Sequence, residues 1–102
     1  TKNTIAYIRE HYQEKITLDI LAKQSYVNKF LLAKEFKKIT GRTIFGYIND
    51  YRSKRAAELI RNGDTVNEAA LNSGFNNVSY FIRTYKKIYG ESPSKLKKER
   101  NA

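Results

Sequence analysis

The sequence predicts an all-α fold of seven helices, arranged as two helix-turn-helix subdomains joined by a long linker helix. Three observations predict it. Apolar residues recur at helical spacing, and no strand-like alternation competes with them. Gly41, Gly46, Gly63, Gly74, Gly90 and the single Pro93 fall mostly between those periodic runs. The second half of the chain also repeats the first: Phe36-Lys37-Lys38-Ile39-Thr40-Gly41 matches Tyr85-Lys86-Lys87-Ile88-Tyr89-Gly90 at a constant offset of 49. The chain is expected to form one domain over 1–102, with subdomain 1 at about 3–41, a linker helix at about 44–61 and subdomain 2 at about 64–100.

Taken in order, Ile5, Ile8 and Tyr12 mark a helix over 3–13, and Leu21-Ala22 a short helix over 18–25. Val27 falls in the turn that follows. Leu32, Phe36 and Ile39 make an inward stripe on a helix over 29–39, at spacings of 4 and 3. The linker helix over 44–61 carries Ile44, Tyr47, Ile48 and Tyr51, then Ala56, Leu59 and Ile60. Eighteen residues at the usual rise span about 27 Å. Asn62-Gly63 supplies the left-handed residue that closes it.

Thr65 with Glu68 has capping-box form and starts a helix over 66–73, where small Ala69 and Ala70 permit close packing. Gly74 eases the turn, Phe75 plugs the angle between helices, and Phe81, Tyr85 and Ile88 repeat the inward stripe on a helix over 78–88. Ser92-Pro93 starts the seventh helix, 93–100. The repeat extends backwards: Lys34 pairs with Arg83, Leu32 with Phe81 and Tyr26 with Phe75. Aligning Ala22 with Ala70 needs one extra residue in the turn of the second copy.

At 102 residues the chain is large enough to bury a core without covalent staples. It has no cysteine, which excludes disulfides, thiolate metal sites and a cysteine nucleophile and fits a reducing, cytoplasmic setting. No apolar run approaches the roughly 18 residues of a membrane span, and Thr1-Lys2-Asn3-Thr4 does not resemble a signal peptide. The chain starts without Met and runs directly into periodic structure, so a piece of a longer protein with a further domain is expected. Twenty Lys and Arg against ten Asp and Glu give a formal charge of +10, a field that attracts polyanions.

Position shows which polyanion. On the first long helix Phe30, Ala33, Lys34 and Lys37 share the outward side, with Lys29 at its start; on the second, Ser79, Ile82, Arg83 and Lys86 share the equivalent side, after Val78. The major groove offers guanine acceptors to Lys or Arg, thymine methyls to apolar groups and mixed edges to hydroxyls. The expected base-contacting set is therefore Lys29, Phe30, Ala33, Lys34, Val78, Ser79, Ile82 and Arg83. Arg83 can grip guanine N7 and O6 in bidentate fashion, whereas Lys34 reaches either that edge or a phosphate. Phe30 and Ile82 are read as packing on thymine methyls, against the alternative of ordinary surface exposure. Lys37, Lys38, Arg42, Lys86 and Lys87 are expected to line the phosphate backbone, against the alternative of a merely solvated face. Adjacent major grooves on one side of a duplex lie roughly 34 Å apart, so a monomer with two units suits successive grooves.

Catalysis finds little to use. His11 is the only histidine, and Asp19, Asp50 and Asp64 fall on separate elements, so no enzyme activity, metal or cofactor is expected. A basic module for RNA or membrane surfaces remains the competing class, separable by duplex competition.

The same residues resemble the AraC/XylS family of transcription regulators over essentially the whole chain. Gly74-Phe75, Ser79-Tyr80-Phe81, Arg83, Tyr85-Lys86-Lys87, Gly90 and Ser92-Pro93 look like its C-terminal signature; Leu21-Ala22, Leu32, Phe36-Lys37-Lys38, Gly41 and the linker residues Tyr47, Arg52, Ala56 and Leu59 are similar too. The resemblance implies seven helices, binding to a double-stranded DNA operator through two major-groove segments, and transcriptional control, commonly activation through RNA polymerase. Members of the family commonly join this domain to a separate sensing or dimerising domain, although some consist of little else, and the missing Met favours the former. Asn28 stands where the family often has Ser, Leu31 where an aromatic is common, and Ser25-Tyr26 opposite Gly74-Phe75.

Overall fold

The computed structural model describes residues 1–97, all of whose regular structure is helical. Its elements are α1 (Lys2–His11), α2 (Leu18–Ser25), α3 (Lys29–Thr40), α4 (Ile44–Arg61), α5 (Val66–Asn72) and α6 (Val78–Tyr89), and residues 95–97 begin a seventh helix. The remainder of the expected 93–100 helix lies outside the described residues. The chain divides into two compact units, Thr1–Ile48 and Asn49 onwards, and the boundary falls inside α4.

In the first unit, Thr17 Oγ1 accepts from Ile20 N at 3.1 Å to start α2, and Asn28 Oδ1 accepts from Phe30 N at 2.8 Å and Leu31 N at 3.3 Å to start α3. Gly41, at φ 77°, ends α3. Ile8, Ile16, Leu21, Ala22, Leu32, Phe36, Ile44 and Ile48 form the core, so α4 contributes its first turns here. Phe36 meets Tyr47 edge-on at 5.7 Å between centroids, and Thr4 is tied to Ser25 by a 3.3 Å hydroxyl pair.

The second unit draws Ala56, Ala57 and Ile60 from the rest of α4 and packs them with Ala69, Ala70, Phe75, Phe81, Tyr85 and Leu96. The capping box of α5 is complete: Thr65 Oγ1 accepts from Glu68 N at 3.0 Å, and Glu68 Oε1 from Thr65 N at 2.8 Å. Gly63, at φ 117°, closes α4 as its residue type predicts.

Two expectations need correction. The repeat places its extra residue later than the Tyr26/Phe75 pairing implied. Val27 N donates to Ala22 O at 3.2 Å and Phe75 N to Ala70 O at 3.0 Å, while Tyr26 (φ 58°) and Gly74 (φ 98°) both take the left-handed turn conformation. Tyr26 is therefore the counterpart of Gly74, and Val27 of Phe75. The offset returns to 49 at the α3 and α6 caps, Asn28 and Asn77, leaving Asn76 as the inserted residue. Second, Ile39 and Ile88 close the two inward stripes in sequence, but both are exposed, Ile39 at 65%. Periodicity fixes the side of a helix, but burial also needs a neighbour that covers it.

Candidate nucleic-acid interface

Each unit presents one face of the second helix of its helix-turn-helix, α3 in the first and α6 in the second, and local physics sets where each side chain lies. On α3, the Asn28 cap fixes the entry of the chain, Phe30 is 72% exposed, and Ala33 is half-buried against the core. Lys34, Lys37 and Lys38 are exposed, with no acidic partner among the described residues. Lys29 Nζ lies 3.2 Å from Asp19 Oδ1 and 5.6 Å from the Phe30 ring centroid. An exposed pair of that kind contributes at most about 1 kcal/mol, which a phosphate or base edge readily replaces. Arg42 folds back over the start of α4, with Nη2 donating to Gly46 O at 3.3 Å.

On α6, Asn77 Oδ1 accepts from Tyr80 N at 2.9 Å and orients the first turn. Ser79, Arg83, Lys86 and Lys87 are exposed. Val78 and Ile82 are half-buried and pack against the second core, so they present only an edge outward, unlike Phe30. The polar groups converge on a cavity of about 410 Å³ lined by Arg52, Asn76, Asn77, Tyr80 and Arg83 among others.

Arg52 comes from α4 and is half-buried. Burial pushes its guanidinium below the ordinary arginine value, and the Tyr80 hydroxyl opposes that shift. It remains a cation at neutral pH. Tyr80 Oη accepts from Asn49 Nδ2 at 2.9 Å, which anchors the wall of the cavity to α4. Two guanidinium groups in one polar concavity suit a phosphate oxygen or a guanine edge. Arg52, Asn76 and Tyr80 were not among the sequence-derived contacts. They lie up to 31 residues from the groups they join; Arg52 and Tyr80 carry part of the family resemblance and the inserted Asn76 a shift in the repeat, but none of these signals places them beside Arg83.

Among the described residues no group of histidine, cysteine or carboxylate side chains could hold a metal, and no helix is long and apolar enough to cross a membrane. His11 stacks on Tyr7 at 4.2 Å and pairs with Glu14 at 2.8 Å.

Residues 21–99 match the family of helix-turn-helix domains. An uncharacterized HTH-type transcriptional regulator of Bacillus subtilis, YdeC, is 32% identical over 95% of this chain and 34% of its own length. The bifunctional transcriptional activator and DNA repair enzyme AdaA of the same organism is 33% identical over 89% of this chain and 44% of its own. The chain thus spans between a third and a half of these curated relatives. Among solved structures, a probable AraC family transcriptional regulator from Rhodopseudomonas palustris superposes with a TM-score of 0.89 at 25% identity, covering 97% of this chain and 94% of that one. With the two capped helix-turn-helix units and the matched signature residues, these similarities establish that the chain belongs to the AraC/XylS family of helix-turn-helix transcription regulators, as a DNA-binding domain of that family.

Proposed function

We propose that the chain reads a double-stranded operator by placing the outward faces of α3 and α6 in successive major grooves. The observation that carries this reading is the recurrence, at matched positions, of an exposed cation on a capped helix: Lys34 with Lys37 and Lys38 in one unit, Arg83 with Lys86 and Lys87 in the other. Arg83 reads guanine, with Ser79 and the edges of Val78 and Ile82 reading its neighbours; Lys29, Phe30, Ala33 and Lys34 act in the first unit. Lys37, Lys38, Arg42, Lys86 and Lys87 hold phosphates, joined by Arg52.

In the full-length protein the domain works beside a separate sensing or dimerising domain, in the cytoplasm, and activates transcription through RNA polymerase. We assign the chain no catalytic role, because it belongs to a family of transcription regulators; its one histidine, His11, stacks on Tyr7 and pairs with Glu14. AdaA carries a repair activity in its name, but this chain covers 44% of that protein.

Selection from a random duplex library tests the reading. A single motif should emerge, bound about a thousandfold more tightly than random duplex. Equal affinity for random DNA, RNA and anionic vesicles would return the chain to the class of non-specific basic modules.

A further inference from the structure

The first unit carries a concavity that groove reading does not require. Between the start of α2, the middle of α3 and the start of α4 lies an open groove of about 570 Å³. Leu18, Ala33, Ile44 and Phe45 form its apolar walls, Thr43 adds a hydroxyl already bonded to Gly46 N, and Lys34, Lys37 and Lys38 form its rim. Phe45 is 50% exposed, although its neighbour Ile44 is buried in the core. The three lysines lie on one side of α3 at spacings of 3 and 1 and have no acidic partner among the described residues.

Chemistry narrows the occupant. The volume falls in the range of small-molecule sites. A bare inorganic anion could pair with the lysines but would leave the apolar walls uncovered. The lysine rim repels an organic cation and gives a neutral apolar molecule nothing to orient on. An apolar body carrying one carboxylate satisfies both surfaces, and an aryl group suits the exposed ring of Phe45.

We propose that this groove binds a free aryl-alkyl carboxylate, with its ring against Phe45 and Ala33 and its carboxylate among Lys34, Lys37 and Lys38. Those lysines also belong to the proposed DNA face, so the ligand and DNA exclude one another, each weakening the other by the same factor. The exclusion rests on the DNA-binding reading; occupancy of the groove does not.

The test titrates the chain with 4-phenylbutyrate, taking 4-phenylbutanol and 4-phenylbutylamine as controls, and follows amide NMR shifts and binding heat. The expected result is saturable one-to-one binding of the carboxylate, with shifts centred on 18, 33–38 and 43–45 and much weaker binding of the alcohol and amine. Phe45→Ala should weaken it about tenfold or more while leaving affinity for the selected duplex unchanged. Lys38→Gln should weaken the carboxylate without changing the alcohol.

Absence of saturation, equal binding of all three probes, shifts centred elsewhere, or insensitivity to both substitutions would overturn the site. Binding that fails to release the selected duplex overturns the exclusion alone. Saturable binding by a chain that selects no duplex overturns the DNA reading and leaves the groove in place.

Discussion

The two units close the same turn with different residues. In the second, Gly74 takes the left-handed position at φ 98° and Phe75 behind it is buried; in the first, Tyr26 takes it at φ 58° and is 96% exposed, with Val27 covering the angle incompletely. An L side chain in that region costs roughly 1–2 kcal/mol. The first unit therefore tolerates strain that the second avoids, and it fills the junction with a smaller group. Their outward faces differ in parallel: α3 offers an exposed Phe30 and the flexible Lys34, whereas α6 offers the half-buried Ile82 and the planar guanidinium of Arg83. On the proposed reading, the second unit is the more exacting reader.

The largest effects should come from the two cores. Phe36 and Phe81 occupy equivalent positions and are fully buried. Truncating either to Ala should cost about 3–5 kcal/mol. Because each phenylalanine lies in a separate core, urea unfolding followed by amide exchange should show Phe36→Ala loosening α1 to α3 and Phe81→Ala loosening α5 and α6. Equal loosening of both cores by either substitution would break the division into two units.

Next in size is recognition. Arg83→Ala should cost about 1–3 kcal/mol and relax preference at one base pair, measured against duplexes varied one position at a time. Lys34→Ala should cost less and relax less, since an ammonium lacks the bidentate fork. Lys86→Ala should weaken all duplexes alike and lower the salt slope by about 1. If Lys34 proves the sharper reader, the ranking of the two faces is reversed.

The turn itself gives a smaller effect of opposite sign in the two units. Tyr26→Gly should raise stability by about 1 kcal/mol, and Gly74→Ala should lower it by about 1–2 kcal/mol, read as shifts of the urea midpoint. A loss of stability in Tyr26→Gly would show that the exposed ring makes contacts outweighing its backbone strain.

That turn also marks where the sequence stopped being legible. The boundaries of α2 to α6 follow from caps and apolar spacing, because Thr65 with Glu68 and Asn62-Gly63 act on their immediate neighbours. Nothing in the residue type of Tyr26 announces a left-handed backbone, so the sequence alone aligns the aromatic pair Tyr26 and Phe75, whereas the backbone pairs Tyr26 with Gly74. The cavity at Arg52, Asn76, Tyr80 and Arg83 joins α4 to α6 through tertiary packing, which a linear pattern does not encode. The exposure of Ile39 and Ile88 has the same origin: a stripe gives direction, while burial also needs a neighbour that covers it.

The smallest difference between the units lies in the caps of their short helices, and it is sensitive to pH. In α5 the Glu68 carboxylate accepts from the Thr65 amide, and that bond, with a further one from the Thr65 hydroxyl, holds its carboxyl below the ordinary glutamate value. In α2 the residue three places after the Thr17 cap is Ile20, so no carboxylate completes the box. A carboxyl whose pKa is lower in the folded state contributes stability that is fully present above its unfolded pKa and is lost as pH falls through the folded value. Acidification across the glutamate range should therefore weaken α5 before α2, seen as faster amide exchange at 66–69 with little change at 18–21. Glu68→Ala should remove that pH dependence without altering the exchange of α2, and a response of equal size in both helices would show that the acid effect arises from the net charge of the whole chain.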